Sequence, residues 1–224
     1  PPRSTLFPYT TLFRSGGELR VNSTLATYDA GFPYILATLA IKEGIRLTIA
    51  APNQIKGTST SSINVNGSLV ADGSLGSEIV FTSYKDDSYG GDSNGDGGAN
   101  SPAGGDWGGI YFLETSDDGS CLLDYCILRY GGYNVGKWGM VMCTDASPTI
   151  RNCEVRYSHG SSNGIYCLSG SSPTISNSVI SNCSNGIYCD TSSPTITACI
   201  LEKNSTGIGI QNASPLIREN SLYE

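Results

Sequence analysis

The sequence predicts an all-β fold, a parallel β-helix solenoid in which short strands stack rung upon rung. Two observations predict it. The first is an internal repeat. Ser-Pro-Thr-Ile occurs at 147–150, 172–175 and 193–196, and Ser-Pro-Leu-Ile at 214–217. Pro148, Pro173, Pro194 and Pro215 are therefore 25, 21 and 21 residues apart. The second is the apolar period inside each repeat, which is two rather than 3.6. Each segment is too short to bury its apolar face alone, so the copies must stack.

Taken in chain order, residues 1–15 (PPRSTLFPYTTLFRS) carry three Pro, two Arg and no acid. They resemble a translated DNA sequencing adapter, whose codons give all fifteen residues in order. They are set aside from fold reasoning as a non-native segment. Without Arg3 and Arg14 the chain holds 11 basic against 20 acidic residues, a charge of −9 instead of −7. Residues 16–224 are expected to form one domain. Within it, residues 16–84 supply an irregular cap and the early rungs, with Leu47–Ile49, Val65–Ala71 and Ile79–Ser83 as strands. Residues 85–106 break the rhythm as an acidic, Gly-rich insertion loop. Residues 107–224 hold five regular rungs. No atypical closing segment follows, so the solenoid is expected to be truncated at its C-terminal end and to expose a raw β edge.

Each regular repeat opens with a Gly-led strand. The copies are Gly109-Ile-Tyr-Phe112, Gly139-Met-Val-Met142, Gly164-Ile-Tyr-Cys167, Gly186-Ile-Tyr-Cys189 and Gly207-Ile-Gly-Ile210. Alignment on the glycines assigns Ile110 and Phe112, Met140 and Met142, Ile165 and Cys167, Ile187 and Cys189, and Ile208 and Ile210 to the inside. The following strands add Leu123, Cys126 and Leu128, then Ile150, Cys153 and Val155, and so on to Ile217, Asn220 and Leu222.

The segments Ser-Pro-Thr-Ile-x-Asn and Ser-Asn-Gly-Ile-Tyr-Cys, with Gly105-Asp-Trp-Gly-Gly-Ile110 before them, resemble right-handed parallel β-helix repeat proteins of the pectate-lyase-like fold. The resemblance covers residues 30–224 and implies a secreted or cell-surface bacterial protein. It is specific for fold. The fold hosts lyases, hydrolases, adhesins and stalks alike, so it does not name an activity.

Composition excludes some classes. A net charge of −7 and a pI near 4.7 argue against a duplex nucleic-acid binder. No run of 18 apolar residues exists, so no membrane span is expected. The expected state is a monomer. All eight Cys fall between 121 and 199 without a Cys-x-x-Cys, and His159 is the single histidine, which disfavours zinc. Cys126, Cys153, Cys167, Cys189 and Cys199 read as small core residues, while Cys121, Cys143 and Cys183 fall outside those columns and their pairing is left open.

Three stations carry candidate chemistry. Asp92-Ser-Asn94-Gly-Asp96-Gly97 matches the first half of a calcium loop, with oxygen ligands at positions 1, 3 and 5 and Gly at 6. The closing Glu is absent, and Asp86, Asp87 and Asp106 are the candidate further ligands of a structural calcium. The other reading is a solvated acidic loop. Second, Tyr111, Tyr166 and Tyr188, with Val141 between them, form an outward column. Rings at rung spacing suit the faces of a polysaccharide or cell-surface glycan, although Tyr also simply favours strands. Third, Asp124 over Arg151 and Arg129 over Arg156 are outward charges. A β-helix lyase needs clustered carboxylates holding calcium beside a base, and a glycosidase needs two carboxylates roughly 5–9.5 Å apart. Within the regular rungs no two acids align on neighbouring rungs. The leading expectation is a module with a structural, adhesive or glycan-contacting role and no catalytic residues in this segment. A fragment of a polysaccharide lyase or glycoside hydrolase acting on acidic polysaccharide is the alternative.

Overall fold

A computed structural model describes residues 17–27, 32–59, 61–133 and 138–224. The adapter-like residues 1–15 lie outside the described residues. The described chain is all-β and forms a right-handed parallel solenoid of three eight-stranded sheets. Every rung gives one strand to each sheet. The first sheet begins at Gly17–Leu19 and ends at Thr206–Gln211, the second runs from Ser23–Leu25 to Leu216–Arg218, and the third from Tyr34–Leu36 to Ser221–Tyr223. All named pairings are parallel, between strands one rung apart. No helix occurs among the described residues, so none is long and apolar enough to cross a membrane.

The inward rows explain the stacking. Leu123, Ile150, Ile175 and Ile196 are successive partners in the second sheet, and Leu128, Val155, Ile180 and Leu201 in the third. All eight are at most 1% exposed. Burying one such side chain contributes about 1.5–3 kcal/mol, and each is covered mainly by the same column in the rungs above and below. Residues 17–57 form two complete rungs in register with the rest. The insertion does not disturb the stack. Val65 pairs with Phe112 across it, and Ile79 with Cys126.

One assignment is corrected. In the strand Gly139–Thr144, Val141 pairs with Ile110 and Ile165, and Cys143 with Phe112 and Cys167. Val141 and Cys143 therefore face inward, and Met142 takes the outward position between Tyr111 and Tyr166. Alignment on the leading glycine misses this because Gly139 pairs with Asn163, one residue before Gly164. The register that wins places a β-branched residue and a thiol inside. Met140 and Met142 are buried all the same. Met140 lies beside Trp107 around Gly131, where an added Cβ would meet both side chains at 3.0 Å.

In the last five rungs the corner between the second and third sheets is turned by one left-handed residue each: Tyr125, Asn152, Asn177, Ala198 and Glu219, with φ between 45° and 57°. This backbone costs an ordinary L-residue roughly 1–2 kcal/mol and Asn much less. The next inward column is Cys126, Cys153, Ser178, Cys199 and Asn220. It is more than apolar filling. Cys126 Sγ, Cys153 Sγ and Cys199 Sγ sit 3.5, 3.4 and 3.7 Å from the carbonyls of Ala71, Leu123 and Ile175 on the preceding rung. In the last rung Asn220 Nδ2 donates to Ile196 O at 2.9 Å in the same way. The thiols thus serve as weak donors in a polar ladder that an amide completes. All eight cysteines are free and buried. Burial pushes the Cys121 thiol up to about 11 and raises Cys183 and Cys199 as well, so these thiols stay protonated at neutral pH.

Ala198 occupies a left-handed corner that Asn fills on two other rungs, and it is exposed. Ala198→Asn should therefore raise the thermal unfolding midpoint by a few degrees, equivalent to about 1 kcal/mol. An unchanged or lower midpoint in a calorimetric scan would count against this account of the corners.

Candidate functional site

The first candidate surface is the outer face of the first sheet. Its central column reads Ala40, Asn64, Tyr111, Met142, Tyr166, Tyr188 and Gly209. The expected three-ring column is shortened. Tyr111 has no exposed surface. Its hydroxyl lies 2.8 Å from where a Cβ on Gly108 would stand, so the segment leading into its own strand covers it. Tyr166 and Tyr188 remain half-exposed, with ring centroids 5.6 Å apart and planes tilted by 53°. Each ring is held by its hydroxyl. Tyr166 donates to Asp190 Oδ2 at 3.3 Å and Tyr188 to Gln211 Oε1 at 2.6 Å. Burial first, then Asp190, raises the Tyr166 phenol above its ordinary value. Tyr188 lies over Gly209, where a Cβ would fall 2.4 Å from ring carbon Cδ2. Asp190 and Gln211 were not singled out from the sequence. Their signal is positional, since each stands two residues beyond the ring column on successive rungs.

The second candidate is the insertion loop, which folds back on the third sheet. Of its six expected oxygen donors, the structure brings together Asp87, Asp92 and Asp96, with carboxylate oxygens within 4.8 Å of one another. Asp87 Oδ1 is shielded from solvent and has no hydrogen-bond partner. Asp92 accepts from the backbone N–H groups of Gly95, Asp96 and Gly97. Asp96 accepts from Gly98, Ala99 and Asn100 and from the Asn94 amide. The Asn100 amide and these backbone donors hold the Asp96 carboxyl below its usual range.

Asp86 and Asp106 are engaged elsewhere. Asp86 accepts from Thr82 Oγ1 at 2.6 Å and faces Arg129 Nη1 at 3.8 Å. Asp106 takes Lys85 Nζ and Ser83 Oγ, both at 2.7 Å, and so closes the base of the loop. The three clustered carboxylates suit a hard cation, which requires oxygen donors and accepts backbone carbonyls and water beside them.

Two cations tie this loop to the solenoid: Lys56, which the sequence reading did not single out, and Arg129, which it placed only over Arg156. Lys56 is fully buried and donates to Gly91 O and Ser93 Oγ, both at 2.7 Å. Burial lowers its pKa, against the opposing pull of Asp86, Asp87 and Asp92. Arg129 lies over the rings of Tyr130, Tyr89 and Tyr157 at 5.0, 5.5 and 5.7 Å, a cation–π arrangement. Tyr130 and Tyr157 stack at 5.3 Å with planes only 10° apart.

The outward charges of the regular rungs fall as the spacing predicts. Arg151 Nη2 contacts Asp124 Oδ2 at 2.7 Å, and Arg129 pairs in register with Arg156. One acid pair escaped sequence reading. Asp72 and Asp124 are Cα partners on neighbouring rungs of the second sheet. The insertion separates them by 52 residues, which hides the alignment. Asp124 is 5% exposed, and both its oxygens are taken, Oδ2 by Arg151 and Oδ1 by Asn152. A general acid needs a carboxyl oxygen free to face the leaving group, and Asp124 has neither oxygen free. His159 is half-buried, and its ring lies 4.7 Å from that of Tyr133 with the planes tilted by 41°.

A family model described as "Right handed beta helix region" matches residues 99–224, more than half of the chain. The chain belongs to this family of right-handed β-helix proteins. No curated protein and no solved structure matches it.

Proposed function

We propose that this β-helix module is a non-catalytic, glycan-contacting element of a secreted or cell-surface bacterial protein, with an insertion loop ordered by calcium. The observation that carries the reading is the Tyr166–Tyr188 pair. Two half-exposed rings stand at rung spacing on a flat sheet, fixed by Asp190 and Gln211. An aromatic ring offers apolar area to the C–H face of a sugar. The neighbouring carboxylate and amide offer acceptors for its hydroxyls. Because the rings are held before any ligand arrives, little ordering cost opposes contact.

The lyase or hydrolase reading finds support in one feature, the alignment of Asp72 with Asp124 beside Arg151. The saturation of Asp124 by Arg151 and Asn152 supports a charge ladder instead.

Binding to an array of plant and bacterial polysaccharides tests the reading. The double substitution Tyr166→Ala with Tyr188→Ala should weaken retention by tenfold or more, equivalent to about 1.4 kcal/mol. Undiminished retention would contradict it. Release of new reducing or unsaturated ends from polygalacturonate, lost in Asp124→Asn, would establish the enzyme reading instead.

Calcium is proposed at Asp87, Asp92 and Asp96. When bound, it would supply charge to a carboxylate group that otherwise repels itself. A ligand that binds the folded state alone raises stability by mass action. The unfolding midpoint should therefore rise by several degrees in millimolar calcium over chelator, and Asp92→Asn should remove the difference. Identical midpoints with and without calcium would overturn this assignment.

A further inference from the structure

The sequence holds four Asn-Gly steps, at Asn66, Asn94, Asn163 and Asn185. An asparagine amide is lost most easily at such a step, because glycine leaves the following backbone nitrogen unshielded. That nitrogen must reach the carbonyl carbon of the Asn side chain. The fold withholds this from three of the four. Asn163 and Asn185 open the strands Asn163–Leu168 and Asn185–Asp190, each paired on both sides. Their side chains are held as well, Asn163 Nδ2 by Trp138 O and Asn185 Nδ2 by Asn163 Oδ1, both at 2.7 Å. At the step after Asn66, Gly67 N donates to Ile41 O, and the backbone carbonyls of Lys42 and Ile45 crowd the glycine. These three can react only after the chain opens locally.

Asn94-Gly95 is different. It lies in the insertion loop, outside every strand, and Gly95 is exposed, with φ +72° and open space where a Cβ would stand. The groups around it have the roles that amide loss requires. Gly95 N–H donates to Asp92 Oδ1 at 2.7 Å, so a carboxylate stands where the attacking nitrogen must leave its proton. Asp96 N–H donates to Asn94 Oδ1 at 3.4 Å, the oxygen that becomes negative when its carbon is attacked. The nitrogen that would leave, Asn94 Nδ2, donates to Asp96 Oδ2 at 2.8 Å.

We propose that Asn94 is a site of spontaneous deamidation, assisted by Asp92 as the base. Gly95 N gives its proton to Asp92 and bonds to Asn94 Cγ. The Cγ–Nδ2 bond then breaks, and ammonia leaves with the proton that Asp92 returns. A five-membered imide remains, and water opens it at either carbonyl to give aspartate or isoaspartate. The sum is asparagine and water to acid and ammonia, with nothing oxidised or reduced. The product puts a charged oxygen against Asp96, at the third position of the Asp92–Gly97 loop, where the encoded residue is neutral. The inference does not rest on the calcium assignment, since Asp92 acts here with no ion bound.

The test incubates the full chain in chelator at mildly alkaline pH, folded and in urea, and follows each Asn-Gly step by peptide mass mapping. In the folded chain Asn94 should lose its amide at least about tenfold faster than the other three, whose strands and turn must first open. It should also react faster folded than in urea, where the four steps become alike. Asp92→Asn keeps an acceptor for the turn and removes the base. It should slow the loss at Asn94 by about a hundredfold, the low end of what a positioned base contributes. Loss at Asn94 no faster in the folded chain than in urea would overturn the inference. So would loss undiminished in Asp92→Asn, or earlier loss at Asn66, Asn163 or Asn185.

Discussion

In-register stacking of inward side chains is the constraint on which everything else here depends. A three-residue strand such as Thr149–Arg151 has one inward residue, Ile150. That residue is buried only because Leu123 and Ile175 lie directly above and below it. A slip of one residue would turn the row outward. Register and core are therefore the same fact in this fold. The same constraint makes the outer faces regular, since any outward residue repeats at the rung spacing. The tyrosine pair, the Arg129–Arg156 pair and the Asp72–Asp124 pair are all products of that periodicity.

The insertion shows how a solenoid accommodates a departure from it. Residues 85–106 leave after Ser83, and the stack resumes at Gly109 without a missed step. The loop is then tied down by charge instead of by strand pairing. Lys56 holds its carbonyl and hydroxyl groups, Arg129 holds Asp86 and Tyr89, and Asp106 closes its base with Lys85. Burying an ammonium is costly, and removing its partners would leave an uncompensated charge. The loop and the third sheet therefore specify one another.

Most of the fold was legible in the sequence because its inward period is two and its repeats keep the same small residues at the corners. What escaped did so for identifiable reasons. The strand at Gly139–Thr144 was misregistered because its glycine aligns with Asn163, and only the pairing of Cys143 with Cys167 reveals it. Tyr111 shares the motif of Tyr166 and Tyr188 yet is covered by Gly108, which leads into its strand from the insertion. Asp72 and Asp124, like Lys56 and the loop, meet across the insertion, where no spacing rule applies. In the insertion loop the Asp92–Gly97 pattern coincides with a turn whose backbone N–H groups point at Asp92, but composition could not tell Asp87 from Asp86 or Asp106.

The central claim is that rungs on either side of the insertion stack directly, which sets both the core and the functional faces. Nuclear Overhauser contacts between backbone protons measure that pairing most directly. The account predicts cross-strand contacts between Val65 and Phe112, Ala71 and Leu123, and Ile79 and Cys126. Contacts of those strands with residues 85–106 in place of each other, or a one-residue offset across the insertion, would contradict it.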